Sequence, residues 1–121
     1  MNPPSGGFFF RIFIVMKAWK KFVNTLELTK DLEQNYFEMR KIFQREGWTE
    51  EDLKSPPYFP QDLLKLHSKF QPKMHEIFQT IKDYGFDVDW DEVRNYIMDK
   101  LSYIDDITPL RKEDGNNTRD N

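Results

Sequence analysis

Two histidines, His67 and His75, are the side chains of this chain best suited to acid–base chemistry or to metal binding. They lie eight residues apart, which is two turns or about 12 Å along one face of a helix. Two imidazoles at that separation cannot bind one metal ion, whereas helical zinc sites place their histidines one turn apart. We therefore interpret both as half-buried histidines that serve the fold, and we expect no metal site.

Three aspartates, Asp87, Asp89 and Asp91, alternate as at the start of a calcium-binding loop. An EF-hand loop that began at Asp87 would need glycine at its sixth position and glutamate at its twelfth. Glu92 and Met98 occupy those positions, so the match stops after the third aspartate. Helix capping and the positive end of a helix dipole explain acids at this point. We expect no calcium site and no other cofactor.

The chain carries none of the short motifs that build a reactive centre from neighbouring residues. It has no GxSxG nucleophile elbow, no glycine-rich phosphate loop and no HExxH. It also has no cysteine, which excludes disulfides, thiolate ligands and a cysteine nucleophile. Scattered residues can still assemble an active site, so an unrecognised small enzyme stays an alternative. We expect a non-catalytic protein.

Aromatic side chains are abundant, with eleven Phe, five Tyr and three Trp. Three of them, Trp48, Tyr58 and Phe59, flank a proline-rich connector of sequence PPYFP at residues 56–60. Aromatics on a stiff loop can anchor a partner protein, because interface hot spots favour Trp and Tyr. The same residues could instead fold under the helices as a lid. We predict all three as partner-binding residues.

Charge is unevenly distributed, although the net charge is only −3. Residues 1–26 hold four of the 18 bases and none of the 21 acids. Lys17, Lys20 and Lys21, with Trp19 between them, form a basic aromatic stretch that could contact an anionic membrane surface or a nucleic-acid backbone. The alternative is an ordinary solvated helix face.

A second group of bases, Arg40, Lys41 and Arg45, lies near the end of a predicted helix. These residues would extend the basic surface if that helix lay beside the first one. In the alternative, the basic face is solvated and pairs with acids near the C-terminus, namely Asp99, Asp105 and Asp106.

Residues 8–16 (FFFRIFIVM) are apolar on every side except at Arg11. A membrane-spanning helix needs about 20 apolar residues, so this run is too short to span. A secretory signal would place its positive charge before the run, whereas here the lysines follow it. Three interpretations stay open: a helix buried against the rest of the fold, an in-plane membrane anchor, or a strand. Helical periodicity that begins at Met16 leaves this methionine as an alternative start.

Apolar residues recur every three or four positions in four stretches, which predicts four helices. The predicted helices cover residues 8–26, 29–46, 60–84 and 89–105, with a short helical turn at 49–54. Thr29, Thr49 and Asp89 are the predicted N-caps. Glycines at positions 47 and 85 are predicted to end the second and third helices.

The third predicted helix contains Pro72, which removes one backbone hydrogen bond. Because the apolar spacing continues unbroken through it, we expect one kinked helix, with two shorter helices as the alternative. The predicted fold is all-α, a small irregular up-and-down bundle in a single domain at residues 8–107. Residues 1–7 and 108–121 are predicted to be a disordered head and tail.

These observations favour a non-catalytic protein–protein interaction module, an adaptor or a regulatory subunit. It would dock on another protein through exposed aromatics and segregated charge. The alternatives are membrane or nucleic-acid contact through residues 8–22 and an unrecognised enzyme. The expected location is the cytoplasm, with membrane association if the N-terminal segment binds lipid.

Overall fold

The computed structural model describes residues 18–112. Within that range five helices follow one another: α1 at residues 18–24, α2 at Glu27–Arg45, α3 at Glu50–Lys54, α4 at Gln61–Asp83 and α5 at Trp90–Ile107. The one extended pairing between residues 18 and 112 is an isolated bridge from Thr49 to Arg111. The predicted all-α class is therefore confirmed. The predictions for residues 1–17 and 113–121 lie outside the described residues.

The body of the bundle consists of α2, α4 and α5. Arg45 at the end of α2 meets Asp62 at the start of α4, with 2.7 Å between Nη1 and Oδ2, so these two helices are antiparallel. Asn35 of α2 donates from Nδ2 to the Leu66 carbonyl of α4 at 3.2 Å. Near the C-terminal end of α4, Phe78 packs edge-on against Trp90, the first residue of α5.

The apolar stripes predicted from helical spacing form the core. The apolar side chains exposed by 1% or less are Val23, Leu32, Leu63, Met74, Ile77, Ile81, Val93, Ile97, Leu101 and Ile104. A second cluster, centred on Phe43, Trp48 and Leu63, fills the end of the bundle where α2 meets α4. Tyr84, the last predicted member of the α4 stripe, is 70% exposed because the helix ends there.

The turn from α2 to α3 is closed by a Schellman motif and a capping box. Gly47 adopts φ 74°, and the Trp48 N–H then donates to the Phe43 carbonyl at 3.1 Å. The Thr49 side chain accepts from the Asp52 N–H, and the Asp52 carboxylate accepts from the Thr49 N–H. Both predicted signals, the glycine stop and the threonine cap, are confirmed.

The turn from α4 to α5 repeats this chemistry. Gly85 adopts φ 102°, and the Phe86 N–H donates to the Ile81 carbonyl at 3.3 Å. Asp89 and Glu92 then form the second capping box, with 2.8 Å between the Glu92 N–H nitrogen and Asp89 Oδ1. The three aspartates that resemble a calcium loop therefore include a helix cap.

The prediction that Thr29 caps α2 is wrong. The helix begins at Glu27, and its N-cap, Leu26, makes no side-chain cap hydrogen bond. Thr29 is buried in the first turn of α2, where its hydroxyl donates to the Val23 carbonyl at 2.8 Å. It thereby satisfies a carbonyl at the end of α1, because the tight turn between α1 and α2 brings the two helix ends together.

Helix α4 runs unbroken from Gln61 to Asp83 with Pro72 inside it, so the prediction of one helix is confirmed. Pro72 and Ser68, whose carbonyl would have accepted the missing bond, are both exposed. Water can therefore satisfy that carbonyl.

Residues 108–112, which are predicted to belong to a disordered tail, pack against the bundle. Thr108 is buried and Leu110 packs on the cluster around Trp48. Arg111 donates from Nε to the Gly47 carbonyl at 3.0 Å. The packed part of the chain therefore continues beyond the predicted boundary at residue 107.

Candidate functional site

A groove of about 200 Å³ opens between α2, α3, the proline-rich connector and α4. Most of its lining is apolar. The lining residues are Tyr36, Met39, Phe43, Trp48, Leu53, Pro56, Phe59, Leu63 and His67. The polar groups of the lining side chains are few, namely the Tyr36 hydroxyl, the His67 ring and the Trp48 indole N–H, so the groove is chemically suited to holding an apolar group.

The floor of the groove is fixed by the position of Trp48 in the sequence. Trp48 is the second residue after the α2 C-cap and also the residue before the α3 N-cap. The first position favours contact with Phe43, whose ring stacks on the Trp48 ring at 5.6 Å between centroids. The second favours a hydrophobic staple with Leu53 of α3. These two constraints bury Trp48 to 3% exposure.

The rim of the groove carries Tyr58 and Phe59, which are 49% and 46% exposed. The Tyr58 ring stands edge-on to Trp48 at 5.5 Å, and the Phe59 ring stands edge-on to His67 at 5.7 Å. Prolines on both sides of this aromatic pair limit the backbone. The two rings are therefore held at the surface beside an apolar floor.

An exposed polar network ties the connector to the end of α2. The Tyr58 hydroxyl donates to Glu46 Oε1 at 2.6 Å, and this bond, with the Arg45 guanidinium, lowers the pKa of Glu46. Glu46 in turn raises the pKa of Tyr58. Arg45 also lowers the pKa of Asp62 through a two-pronged contact. This network holds Tyr58 in place.

Among residues 18–112, Arg40 is the one buried cation, with 1% exposure. Its guanidinium donates to the Thr108 hydroxyl at 3.0 Å and to the Thr108 carbonyl at 2.8 Å. It also lies 3.5 Å from Asp105 and 3.6 Å from Glu50. Because α5 has no base in its last turn, Arg40 supplies from α2 the positive charge that stabilises the end of α5.

Tyr36 connects the groove to this charged region. Its hydroxyl donates to Asp105 Oδ1 at 2.6 Å, while its ring lies 6.0 Å from that of Phe70. Burial, followed by the hydrogen bond to Asp105, raises the pKa of Tyr36. The wall of the groove that Tyr36 forms is therefore fixed to α5.

An acidic depression of about 430 Å³ lies beside Arg40, between the start of α3 and the end of α5. Four acids line it: Glu50, Glu51, Asp105 and Asp106. Across residues 18–112, no cluster of three or more potential ligands is placed to hold a metal ion. Pairing with Arg40 and the first turn of α3 account for Glu50 and Asp105.

The structure brings together three of the predicted partner-binding residues. Tyr58 contacts Trp48, and Phe59 lines the same groove as Trp48, although Trp48 is buried under the helices as in the lid alternative. The predicted residues of α1 lie against α5 instead. Trp19 is 2% exposed and meets Tyr96 edge-on at 5.4 Å.

The three predicted lysines differ in their surroundings. Lys20 lies over the Trp19 and Tyr96 rings, 5.9 and 5.3 Å from their centroids, and Lys21 is exposed. Lys17 lies outside the described residues.

The second group of bases forms no continuous basic surface in the described structure. Arg40 is buried and Arg45 is paired with Glu46 and Asp62, which leaves Lys41 exposed. Arg40 meets Asp105, one of the acids expected to pair with it in the alternative interpretation.

Both histidines are exposed, so the interpretation of them as half-buried is wrong. His75 stacks flat on Trp90, with 4.2 Å between ring centroids and 1° between the planes. His67 lies at the rim of the groove against Phe59. Each ring covers an aromatic neighbour on the surface.

Of the nine lining residues, seven are not among the predicted partner-binding residues: Tyr36, Met39, Phe43, Leu53, Pro56, Leu63 and His67. Four of them belong to apolar stripes or caps, and periodicity cannot distinguish a residue that closes a core from one that borders an opening. One usable signal was the short α3, whose single apolar residue leaves a gap beside two long helices.

None of the helices between residues 18 and 112 is long and apolar enough to cross a membrane. Comparisons with family models, with curated proteins and with solved structures found no match.

Proposed function

We propose that this chain is a protein-binding module whose groove between α2, α3 and α4 takes one bulky apolar side chain from a partner protein. The observation that carries this proposal is the pair of half-exposed rings, Tyr58 and Phe59, held on a stiff connector above an apolar floor. Exposed aromatics around a desolvated pocket are the arrangement that hot spots of interfaces favour.

The size of the groove supports a side chain as its occupant. About 200 Å³ is below the roughly 300–1,000 Å³ of typical small-molecule sites. The lining also lacks the group of convergent polar atoms that orients a cofactor or substrate. A single aliphatic or aromatic anchor matches both the volume and the chemistry.

The test compares three baits made from the full chain: wild type, Leu53→Lys and Tyr84→Ala. Leu53→Lys places a charge at a partly exposed position of the groove lining. Tyr84 is an exposed aromatic at the far end of α4, roughly 35 Å away by helical rise, and serves as the matched control. Quantitative mass spectrometry then measures which proteins from the source cells each bait retains.

We expect at least one protein to be retained by wild type and Tyr84→Ala and lost from Leu53→Lys. Circular dichroism of the three baits shows whether they are equally folded. Equal retention by all three folded baits would rule out the groove as the docking site.

Membrane contact through residues 8–22 is the second candidate and has less support, because Trp19, one of the aromatics that such an anchor would insert together with Phe10 and Phe13, is packed in the core. Liposome flotation of the full chain and of a chain that begins at Met16 tests it. Stronger flotation of the full chain would favour the lipid anchor, and equal flotation of the two would remove it.

A further inference from the structure

One flank of α5 carries two exposed apolar side chains, Tyr103 at 49% and Ile107 at 59%. They follow Tyr96 at helical spacings of seven and eleven residues, so all three lie on the same side of the helix. Tyr96 is only partly exposed, because α1 covers it. The exposed strip is therefore the continuation of a surface on which α1 is already packed.

The direction of α1 leads onto this strip. Phe22 contacts Phe86, which precedes α5, whereas Trp19 contacts Tyr96 and borders Asp99 within α5. Moving backward along α1 thus corresponds to moving forward along α5. A helix that continued α1 before residue 18 in the same direction would run toward Tyr103 and Ile107.

The sequence before Trp19 continues the apolar stripe of α1. Val23 and Trp19 are buried, and Met16, Ile12 and Phe8 extend the same spacing of three or four residues. If the register of Trp19 opposite Tyr96 continued, Ile12 would lie level with Tyr103, because Ile12 is seven residues before Trp19 and Tyr103 is seven residues after Tyr96.

Charge on the two surfaces is complementary. Residues 8–17 contain Arg11 and Lys17 and no acid. Asp99 and Asp106 are exposed beside the apolar strip, and Lys100 lies on the strip between Tyr96 and Tyr103. Neither aspartate has an ion-pair partner within 4.0 Å among residues 18–112. With two acids and one base, the flank keeps a net negative charge. Such a flank favours a basic apolar segment over an acidic one.

We infer that residues 8–17 of this same chain dock on the flank of α5 formed by Tyr103, Ile107, Asp99 and Asp106. The docked segment extends the contact between α1 and α5 to the end of α5. This surface is separate from the groove, so the inference does not depend on the proposed function.

A first test uses a cycle of four proteins: the full chain and the chain that begins at Met16, each with and without Tyr103→Ser plus Ile107→Ser. Urea denaturation measures the unfolding midpoint of each. We expect the double substitution to lower the midpoint of the full chain and to leave that of the shorter chain unchanged. An equal shift in both backgrounds would overturn the inference.

A second test uses the absence of native cysteine. The full chain with Ile12→Cys and Tyr103→Cys should form an intramolecular disulfide under mild oxidation, detected by mass spectrometry after tryptic digestion. The control pairs Ile12→Cys with Met98→Cys, an exposed position on the other side of α5. The inference would be contradicted if the control pair cross-linked as fast as the first pair, or if neither pair cross-linked. Residues 8–17 would then be a lipid anchor or a segment that does not dock on α5.

Discussion

At the scale of single residues, Arg40 makes the connections that no local motif provides. It joins α2 to the start of α3 through Glu50. It also joins α2 to the end of α5 through groups that are 65 and 68 residues away in sequence. Its burial is compatible with charge because two carboxylates and two carbonyls surround it. Truncation of Arg40 would leave the Thr108 carbonyl without its buried partner.

We predict that Arg40→Ala lowers the free energy of unfolding by about 3 kcal/mol, the lower end of the range for breaking a buried ion pair. The lower end applies because Glu50 and Asp105 are partly exposed and can be hydrated. The neighbouring Lys41→Ala should change it by less than about 0.5 kcal/mol. Urea titration followed by circular dichroism measures both, and a similar loss in the two variants would show that Arg40 is not special.

The pKa of Tyr36 provides a prediction at alkaline pH. Because its pKa is raised in the folded chain above the ordinary value of about 10, its stabilising contribution is complete below that pH and is lost as the pH rises further. The difference in unfolding free energy between wild type and Tyr36→Phe should therefore narrow above pH ~10. A difference that stays constant from neutral to alkaline pH would contradict this assignment.

At the scale of elements, the two glycine turns show why local chemistry was readable in the sequence. Gly47 and Gly85 have positive φ, and each is followed by a capping box within five residues. These devices involve atoms close in the chain, so residue type and spacing are sufficient to predict them. Thr29 is a threonine like the α3 cap Thr49, but it lies inside α2. Its hydroxyl bonds to the Val23 carbonyl at the end of α1 and does not cap α2.

We predict that Asp89→Ala lowers the free energy of unfolding by about 1 kcal/mol, since it removes the acceptor of the Glu92 N–H. Asp91→Ala changes a charge in the same first turn without removing a cap, and should cost roughly 0.3 kcal/mol. Thermal unfolding of the two variants compares them directly. Equal losses would mean that charge near the helix end, not the cap, sets the effect.

At the scale of the whole molecule, residues 108–112 close the bundle. They provide both Thr108 partners of Arg40 and the contact of Arg111 with the turn at Gly47. The sequence suggested a tail here because Thr-Pro is followed by polar residues. The contacts that fix this segment come from α2 and the α2–α3 turn, more than 60 residues earlier in the chain.

We predict that a chain ending at residue 112 unfolds at the same urea concentration as the full chain. A chain ending at residue 107 should lose at least as much stability as Arg40→Ala, because it removes the Thr108 groups together with Leu110 and Arg111. If the chain ending at residue 107 were as stable as the full chain, the prediction that the domain ends at residue 107 would be supported.

The amino-acid sequence by itself determined the helical class, the registers of the apolar stripes and two of the three caps, because all of these depend on contacts within about four residues. It also indicated that Tyr58 and Phe59 belong to one stiff surface feature, which the exposed rings at the groove rim support.

Only the tertiary structure decided which of these side chains face a groove and which fill the core. Tryptophan is a residue that often anchors interfaces from the surface. Trp48 and Trp19 are nevertheless both buried, because a second element packs over each of them. Arg40 is predicted to lie on a basic surface, whereas in the structure it is buried and pairs with Glu50 of α3 and Asp105 of α5. Burial depends on contacts between segments distant in sequence, and local periodicity contains no information on which segments meet.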